Sequence, residues 1–341
     1  MDVTGHAYMQ DSARFADFMN AANFDGQQII EPWQLCEADS RTTRVTQLDE
    51  AASQATGHTA QTDKKDYSFE TRYRDVIKKT ALGTNFVLMG VENQSHTHYA
   101  MPVRCLNYDT MNYNEQLRVI QKQHEKLKDL RQDEFLSKFS RDDQLIPVIT
   151  WVINWGSEVW DGALDLHGLL NFTDIPEALK DKINNYKMNI LNVRDFEHLE
   201  YFKTDLQQVF GFIQKSGDKK QLAEYVKEHE EVFSNLPEDA YNVISAVTYT
   251  GKLVELKKDI ANEGGNLNVC KAIEDMINDG KIEYKISLIR KKYAKHLTPI
   301  EAADALEITE DEVTKFYKLI DLHPDFTDSQ IAELFIQGCD Q

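Results

Sequence analysis

Apolar residues change their spacing several times along this chain. Phe15, Phe18, Met19 and Ala22 recur at helical intervals, and Asp25-Gly26 ends the run, so the first 35 residues are expected to hold a helix. Residues 38–66 are rich in Ser, Thr, Gln, Ala and Asp and show little apolar periodicity, as in a long variable loop or a poorly ordered insertion. Two strand-like runs follow, Tyr73–Lys79 and Phe86–Gln94, joined by the turn Leu82-Gly83-Thr84. A long amphipathic helix is expected over about 101–130, with Leu117, Ile120, His124 and Leu127 on one stripe and Pro102 in its first turn. Leu145–Trp155 is almost continuously apolar, which predicts a central strand buried on both faces. Gly156 ends it, a loop through Trp160-Asp161-Gly162 leads to a short helix near Leu164–Leu170, and Lys187–Val193 reads as another strand.

Beyond about residue 200 the pattern is helical, with candidates at 203–216, 219–234, 237–248, 268–296, 299–306, 310–320 and 328–337. Thr298–Glu301, Thr309–Glu312 and Thr327–Gln330 each fit a capping box, in which a threonine and an acid or amide three residues later exchange bonds with the backbone. The expected fold class is α/β: a mixed sheet flanked by helices, followed by an all-α C-terminal region. The expected divisions are 1–200, with 38–66 as loop or insertion, then a helical region at 201–296 and a small helical tail at 297–341.

The bulk numbers fit a water-soluble protein: 341 residues, 41% hydrophobic and 28% charged. No apolar run approaches the ~18–20 residues of a membrane span, and the start Met1–His6 lacks the basic and apolar stretches of a signal peptide. No membrane contact is expected. Cys36, Cys105, Cys270 and Cys339 are far apart and form no C-x-x-C, the pattern of reduced thiols in a cytoplasmic protein. A net charge of −19 argues against a general nucleic-acid binder. The charge is uneven, however. Residues 1–60 hold three basic and nine acidic residues, 61–130 hold eleven and nine, and 301–341 hold two and eleven. The second of these segments is permissive for phosphate contact.

That segment also holds the candidate chemistry. Glu92 and Gln94 are two apart on an expected strand, so they project to one face. Asp75 lies on the preceding strand, where a hairpin would bring it alongside. Two carboxylates in one place raise each other's proton affinity unless a cation sits between them, and Mg²⁺ takes oxygen ligands, several waters and phosphate oxygens. Gln94 stands where many nucleases place a lysine; its amide would orient a water or donate to a phosphate. Arg104 and Tyr108, four apart on the following helix, would hold Glu92 or a phosphate. By spacing alone, Glu92 and Gln94 equally suit strand-end polar residues, and Arg104 an ordinary surface partner.

Other features have two readings each. His96 and His98 suit a metal or a base, or an exposed connection. Trp151 reads as core, whereas Trp155 and Trp160 are more open and suit base stacking. Arg290, Lys291, Lys292 and Lys295, with Lys281 and Lys285, suit phosphate contact or a solvated helical face. Residues 297–320 resemble a helix-turn-helix. The second helix begins Glu310-Asp311-Glu312, which disfavours major-groove reading and points to packing or dimerisation. No G-x-x-x-x-G-K-[ST] is present, so an NTPase is not expected.

Several blocks carry a family resemblance: F-A-D-F-M-N (15–20), D-G-Q-Q-I-I-E-P (25–32), R-Y-R-D-V-I-K-K (72–79), G-V-E-N-Q-S-H-T-H-Y-A-M-P-V-R (90–104), Y-D (108–109), D-D-Q-L-I-P-V-I-T-W-V-I-N-W-G (142–156), W-D-G-A-L-D-L-H (160–167) and F-K-T-D-L (202–206). Together they resemble the recombination-promoting nuclease/transposase (Rpn) family of the PD-(D/E)xK nuclease superfamily, over about residues 1–280. The resemblance implies a restriction-endonuclease-like α/β domain that cleaves DNA with Mg²⁺ (or Mn²⁺), linked to recombination, transposition or defence. It implies that Asp75 and Glu92 hold the metal, that Gln94 completes the E-x-Q, and that Arg104 and Tyr108 support the site. The chain departs from the family at 38–66, which lacks the clean strand expected ahead of Tyr73. The first, helical acidic position then falls on Asp17, with Asp11 as the alternative; either also suits a capping or solvent-facing role. Self-association through the helical C-terminal region is a further expectation. The rival reading is a catalytically silent DNA-binding or assembly protein on the same fold, and the same metal site would serve RNA cleavage.

Overall fold

A computed structural model describes residues 3–37, 76–91, 98–248, 251–262 and 264–339. The expected loop at 38–66 and the start of the expected strand at 73 lie outside them. The chain opens with helices α1 (Val3–Met9) and α2 (Ser12–Phe24) and then a two-residue strand, β1 (Cys36–Glu37). That strand lies just ahead of 38–66. Strands β2 (Val76–Ala81) and β3 (Thr84–Val91) form the expected hairpin. Leu82 and Gly83 make its turn with φ of 50° and 66°. Positive φ at both central residues gives a tight turn whose twist matches that of the strands. Thr80 Oγ1 donates to Asn85 Oδ1 at 2.6 Å, closing the hairpin just inside the turn.

Helix α3 (Met101–Leu127) carries the chain from β3 to β4 (Val148–Asn154), and a long excursion leads on to β5 (Asn189–Asn192). The sheet order is β1-β2-β3-β4-β5. β2 runs antiparallel to both β1 and β3, and β3, β4 and β5 are parallel. Parallel neighbours need a crossover, and α3 supplies the first one.

Alternation along the strands sorts the core into two layers. Val87, Met89 and Val152 pack against Met101, Cys105 and Tyr108 of α3. On the opposite face Leu88 pairs in register with Trp151. There the Trp151 ring meets Phe18 of α2 edge-on at 6.1 Å, and its Nε1 donates to Asn23 Oδ1 at 3.1 Å. Trp155, expected to be open, is 1% exposed and packs at 5.4 Å against Phe210 of helix α5 (Leu206–Lys215). The apolar run points to burial but not to this partner, which lies 55 positions on.

Helix α3 differs from its expected stripe. Its buried residues, Met101, Cys105, Tyr108, Asp109 and Asn112 among them, all fall in the N-terminal half. At 27 residues it spans about 40 Å, against about 27 Å for the eight-residue β3. The helix therefore overhangs the sheet, and Leu127 stays exposed. His124, on the overhang, is held between Asp129 at 2.7 Å and Asp143 at 2.8 Å.

Contacts divide the chain into two compact units, 1–232 with 237–250, and 233–236 with 251–341. The first includes the sheet together with the one-turn α4 (Glu177–Lys180), α5, α6 (Lys219–Glu228) and α8 (Glu238–Thr248), and the one-turn α7 (Glu230–Phe233) ends where the second begins. The second includes α9 (Gly251–Leu256) and is built on the 25-residue helix α10 (Val269–Tyr293), packed against α11 (Pro299–Leu306), α12 (Glu310–Leu322) and α13 (Asp328–Cys339). Its core centres on Ile286, Ile289, Val313, Phe316 and Ile331. The capping boxes at Thr298 and Thr327 form reciprocally. At Thr309 only half forms: its hydroxyl accepts from Glu312 N–H, while the Glu312 carboxylate accepts instead from Lys285 Nζ at 2.8 Å. Among the described residues no helix is long and apolar enough to cross a membrane.

Candidate functional site

The hairpin sets two chain ends side by side. Val76, the first residue of β2, pairs with Met89, and β3 ends two residues later at Val91, beside Asn154 of β4. In the sequence Asp75 comes directly before Val76 and Glu92 directly after Val91. Asp75, Glu92 and Gln94 themselves, with His96, lie outside the described residues. The N-terminus of α3, at Met101, is nine residues past Glu92.

Asp17 is described, and its carboxylate is fully engaged. It is 2% exposed. Lys203 N–H donates to both its oxygens, at 2.9 and 2.8 Å, and Thr204 donates its N–H at 2.7 Å and its hydroxyl at 2.6 Å to Oδ2. One turn earlier on α2, Arg14 Nε and Nη2 donate to the two oxygens of Asp205, at 2.8 and 2.9 Å. Arg14 also pairs with Asp239. The two α2 side chains thus grip the segment 203–205 that leads into α5. Asp17, expected as the family's first helical acidic position, has an anchoring role in this geometry. Asp11, the alternative, is the N-cap of α2: its Oδ1 accepts from Ala13 and Arg14 N–H, at 2.9 and 3.0 Å.

Arg104 and Tyr108 share a face of α3, the guanidinium lying 5.9 Å from the ring centroid. Tyr108 is buried against Val87 and Met89. Among the described residues, the buried Arg104 Nε has no hydrogen-bond partner. His98, expected to be exposed or to serve a metal, is half-buried, and its buried Nδ1 likewise has no partner among them. Two unpartnered buried nitrogens therefore flank the N-terminus of α3. A buried N–H left unpaired is costly, so such groups are uncommon in a finished core.

The two lysines of β2 lie in different surroundings. Lys79 Nζ donates to Gln10 O at 2.6 Å and Ser12 Oγ at 2.8 Å. Lys78 lies on the α3 side, where burial pulls its ammonium below the usual lysine range and Glu115 partly offsets this.

Sequence reading missed a buried polar knot beside Tyr108. Asp109 accepts from the Thr150 hydroxyl of β4 and from Tyr186 Oη at 2.6 Å. Burial raises the Asp109 carboxyl, and these two donors pull it back. The neighbouring Cys105 thiol is pushed up to about 12, mainly by burial. The one sequence sign was the Tyr108-Asp109 pair itself, an acid on the buried side of an amphipathic helix. Trp160, near the same end of the sheet, is half-buried beside Tyr99 at 6.3 Å.

Among the described residues no group of three or more His, Cys, Asp or Glu side chains is placed to hold a metal ion. No family model, no curated protein and no solved structure matches the chain.

Proposed function

We propose that the chain is a divalent-metal-dependent DNA endonuclease of the Rpn kind, with a restriction-endonuclease-like first unit. The observation that carries this reading is the hairpin. Its register sets the strand ends that lead to Asp75 and Glu92 next to each other, in a sheet whose third strand runs through a crossover helix into a parallel fourth. Sequence parity supports it further. Asp75 belongs to the set of Ile77 and Lys79, and Glu92 and Gln94 to the set of Phe86 and Leu88. These sets pair in register, so they share a sheet face.

Asp75 and Glu92 would hold the cation; two carboxylates and an amide oxygen make the hard-oxygen donor set that Mg²⁺ and Mn²⁺ favour. Bound there, the cation would supply charge for the phosphate and a more acidic water. Gln94 orients that water through its amide oxygen, or donates through its amide N–H to a phosphate oxygen. Arg104 supplies a guanidinium whose buried Nε has no competing partner. It stands on the α3 side of the sheet and reaches the phosphate around the N-terminal end of the helix. The free thiols Cys36, Cys105 and Cys270 accord with a cytoplasmic location.

Purified protein should nick supercoiled plasmid with Mg²⁺ or Mn²⁺ and stop with chelator, and Glu92→Ala should abolish cutting. Cutting by Glu92→Ala at the wild-type rate would sink the assignment. The neutral Gln94 and the engaged Asp17 favour one rival, a DNA-binding or assembly protein without catalysis. Salt-sensitive DNA retention with no divalent-metal heat in calorimetry would select it. Matched DNA and RNA substrates decide the polymer.

A further inference from the structure

Helix α10 carries two sets of charged residues. Those facing its neighbours are paired: Lys285 Nζ donates to Glu312 at 2.8 Å, Arg290 Nε donates to Asp328 at 2.7 Å, and Lys252 Nζ donates to Asp279 at 3.2 Å. Glu283 accepts from the Ser329 hydroxyl at 2.8 Å. The other set, Glu274, Lys281 and Lys291, is exposed and has no ion-pair or hydrogen-bond partner among the described residues.

These three lie on one line with Ile277, Tyr284 and Leu288. Steps along the line alternate between three and four residues, the spacing at which two α-helices wind together. Of its three large hydrophobics, Ile277 at 42% and Tyr284 at 66% are open to solvent, and Leu288 is half-buried. Gly280 sits beside the line in mid-helix, and among the described residues nothing beyond the helix's own nearby backbone lies within 4 Å of where its Cβ would be. A glycine weakens a helix relative to alanine, and no packing among the described residues explains it. A second backbone drawn close would.

We propose that this stripe is the contact between two copies of the chain, with α10 lying antiparallel to its twin. The stripe is complementary to its own reversal. Glu274 meets Lys291 of the second copy, Ile277 meets Leu288, and Lys281 packs its stem and ammonium on the Tyr284 ring; symmetry repeats all three contacts. A parallel pair would instead set Glu274 on Glu274, Lys281 on Lys281 and Lys291 on Lys291, three like-charge layers. Sliding the antiparallel pair by one heptad sets Lys281 on Lys291 in one direction and Ile277 on Lys281 in the other. One orientation and one register therefore satisfy every layer.

The test is sedimentation equilibrium of the full chain, from about 1 to 200 μM. Wild type should be dimeric at the upper end. Glu274→Lys and Lys291→Glu should each weaken the dimer at least about tenfold, because each creates two like-charge layers. The double variant Glu274→Lys/Lys291→Glu should return to within about threefold of wild type, since opposite charges face each other again. All three should melt like wild type, because the positions are exposed. A monomer at 200 μM overturns the proposal, as does a dimer that neither single variant weakens. Failure of the double variant to recover overturns the antiparallel register.

Discussion

Thr204 gives Asp17 both its backbone N–H and its hydroxyl, at 2.7 and 2.6 Å, across 187 residues of chain. Lys203 N–H adds to the same carboxylate, which leaves Asp17 no free oxygen for a cation. Asp17→Ala strands these buried donors and removes charge-assisted bonds. It should lower the stability of the first unit by about 3 kcal/mol, a fall of roughly 10 °C in its melting midpoint. Differential scanning calorimetry gives the answer. A variant that melts normally but no longer binds Mg²⁺ would overturn the anchoring role.

Arg104 predicts the opposite pattern. Its buried Nε has no partner among the described residues, so Arg104→Met removes an unsatisfied group and should not lower the melting temperature. If Arg104 contacts a phosphate, the same change should weaken DNA binding about tenfold and reduce the salt dependence of binding by about one counterion. Filter binding across a salt series separates this from a structural role, which would leave the slope alone.

His124 should confer pH dependence on the overhang of α3. Its two ring nitrogens both face carboxylate oxygens, which only accept, so the arrangement calls for the doubly protonated imidazolium. The hydrogen bonds to Asp129 and Asp143 raise its pKa above the ordinary ~6.5. A raised folded-state pKa means that the clamp on residues 129–143 is fully present below ~6.5 and is lost as pH climbs through the folded value. The imidazole NMR resonance should titrate above that of an unfolded histidine. His124→Gln should remove the pH dependence of protease cleavage between 129 and 143. Identical cleavage of wild type at pH 6 and pH 9 would discard the clamp.

The cysteines should sort by burial. Cys105 is buried with its thiol pushed up to about 12, and Cys36 is exposed. The thiolate is the reactive form. Iodoacetamide at pH 8 should therefore label Cys36 in the native protein and spare Cys105, with both labelled after unfolding. Peptide mass spectrometry reads the two sites separately.

Features set by near neighbours were legible in the chain. The Leu82-Gly83 turn, the start of α3 at Pro102, and the helices beginning at Pro299 and Glu310 follow from the sequence within a few positions. What distant partners decide was not. Trp155 closes on Phe210 and Asp17 on Thr204, and neither partner leaves a mark near the residue it buries. The lower half of α3 keeps a helical apolar stripe but runs past the sheet that would cover it. The site was legible only as an order of side chains, Asp75 then Glu92 and Gln94. The hairpin register adds that the strand ends leading to them are neighbours.

Among the described residues the sheet is bordered by the two-residue β1 and the four-residue β5, which begins and ends in asparagine. An open border is a template on which another chain can add a strand, and short polar borders offer little to build on. Concentrated protein should therefore resist the slow strand-by-strand growth that leads to fibrils, and any ordered encounter between molecules is directed to their helices.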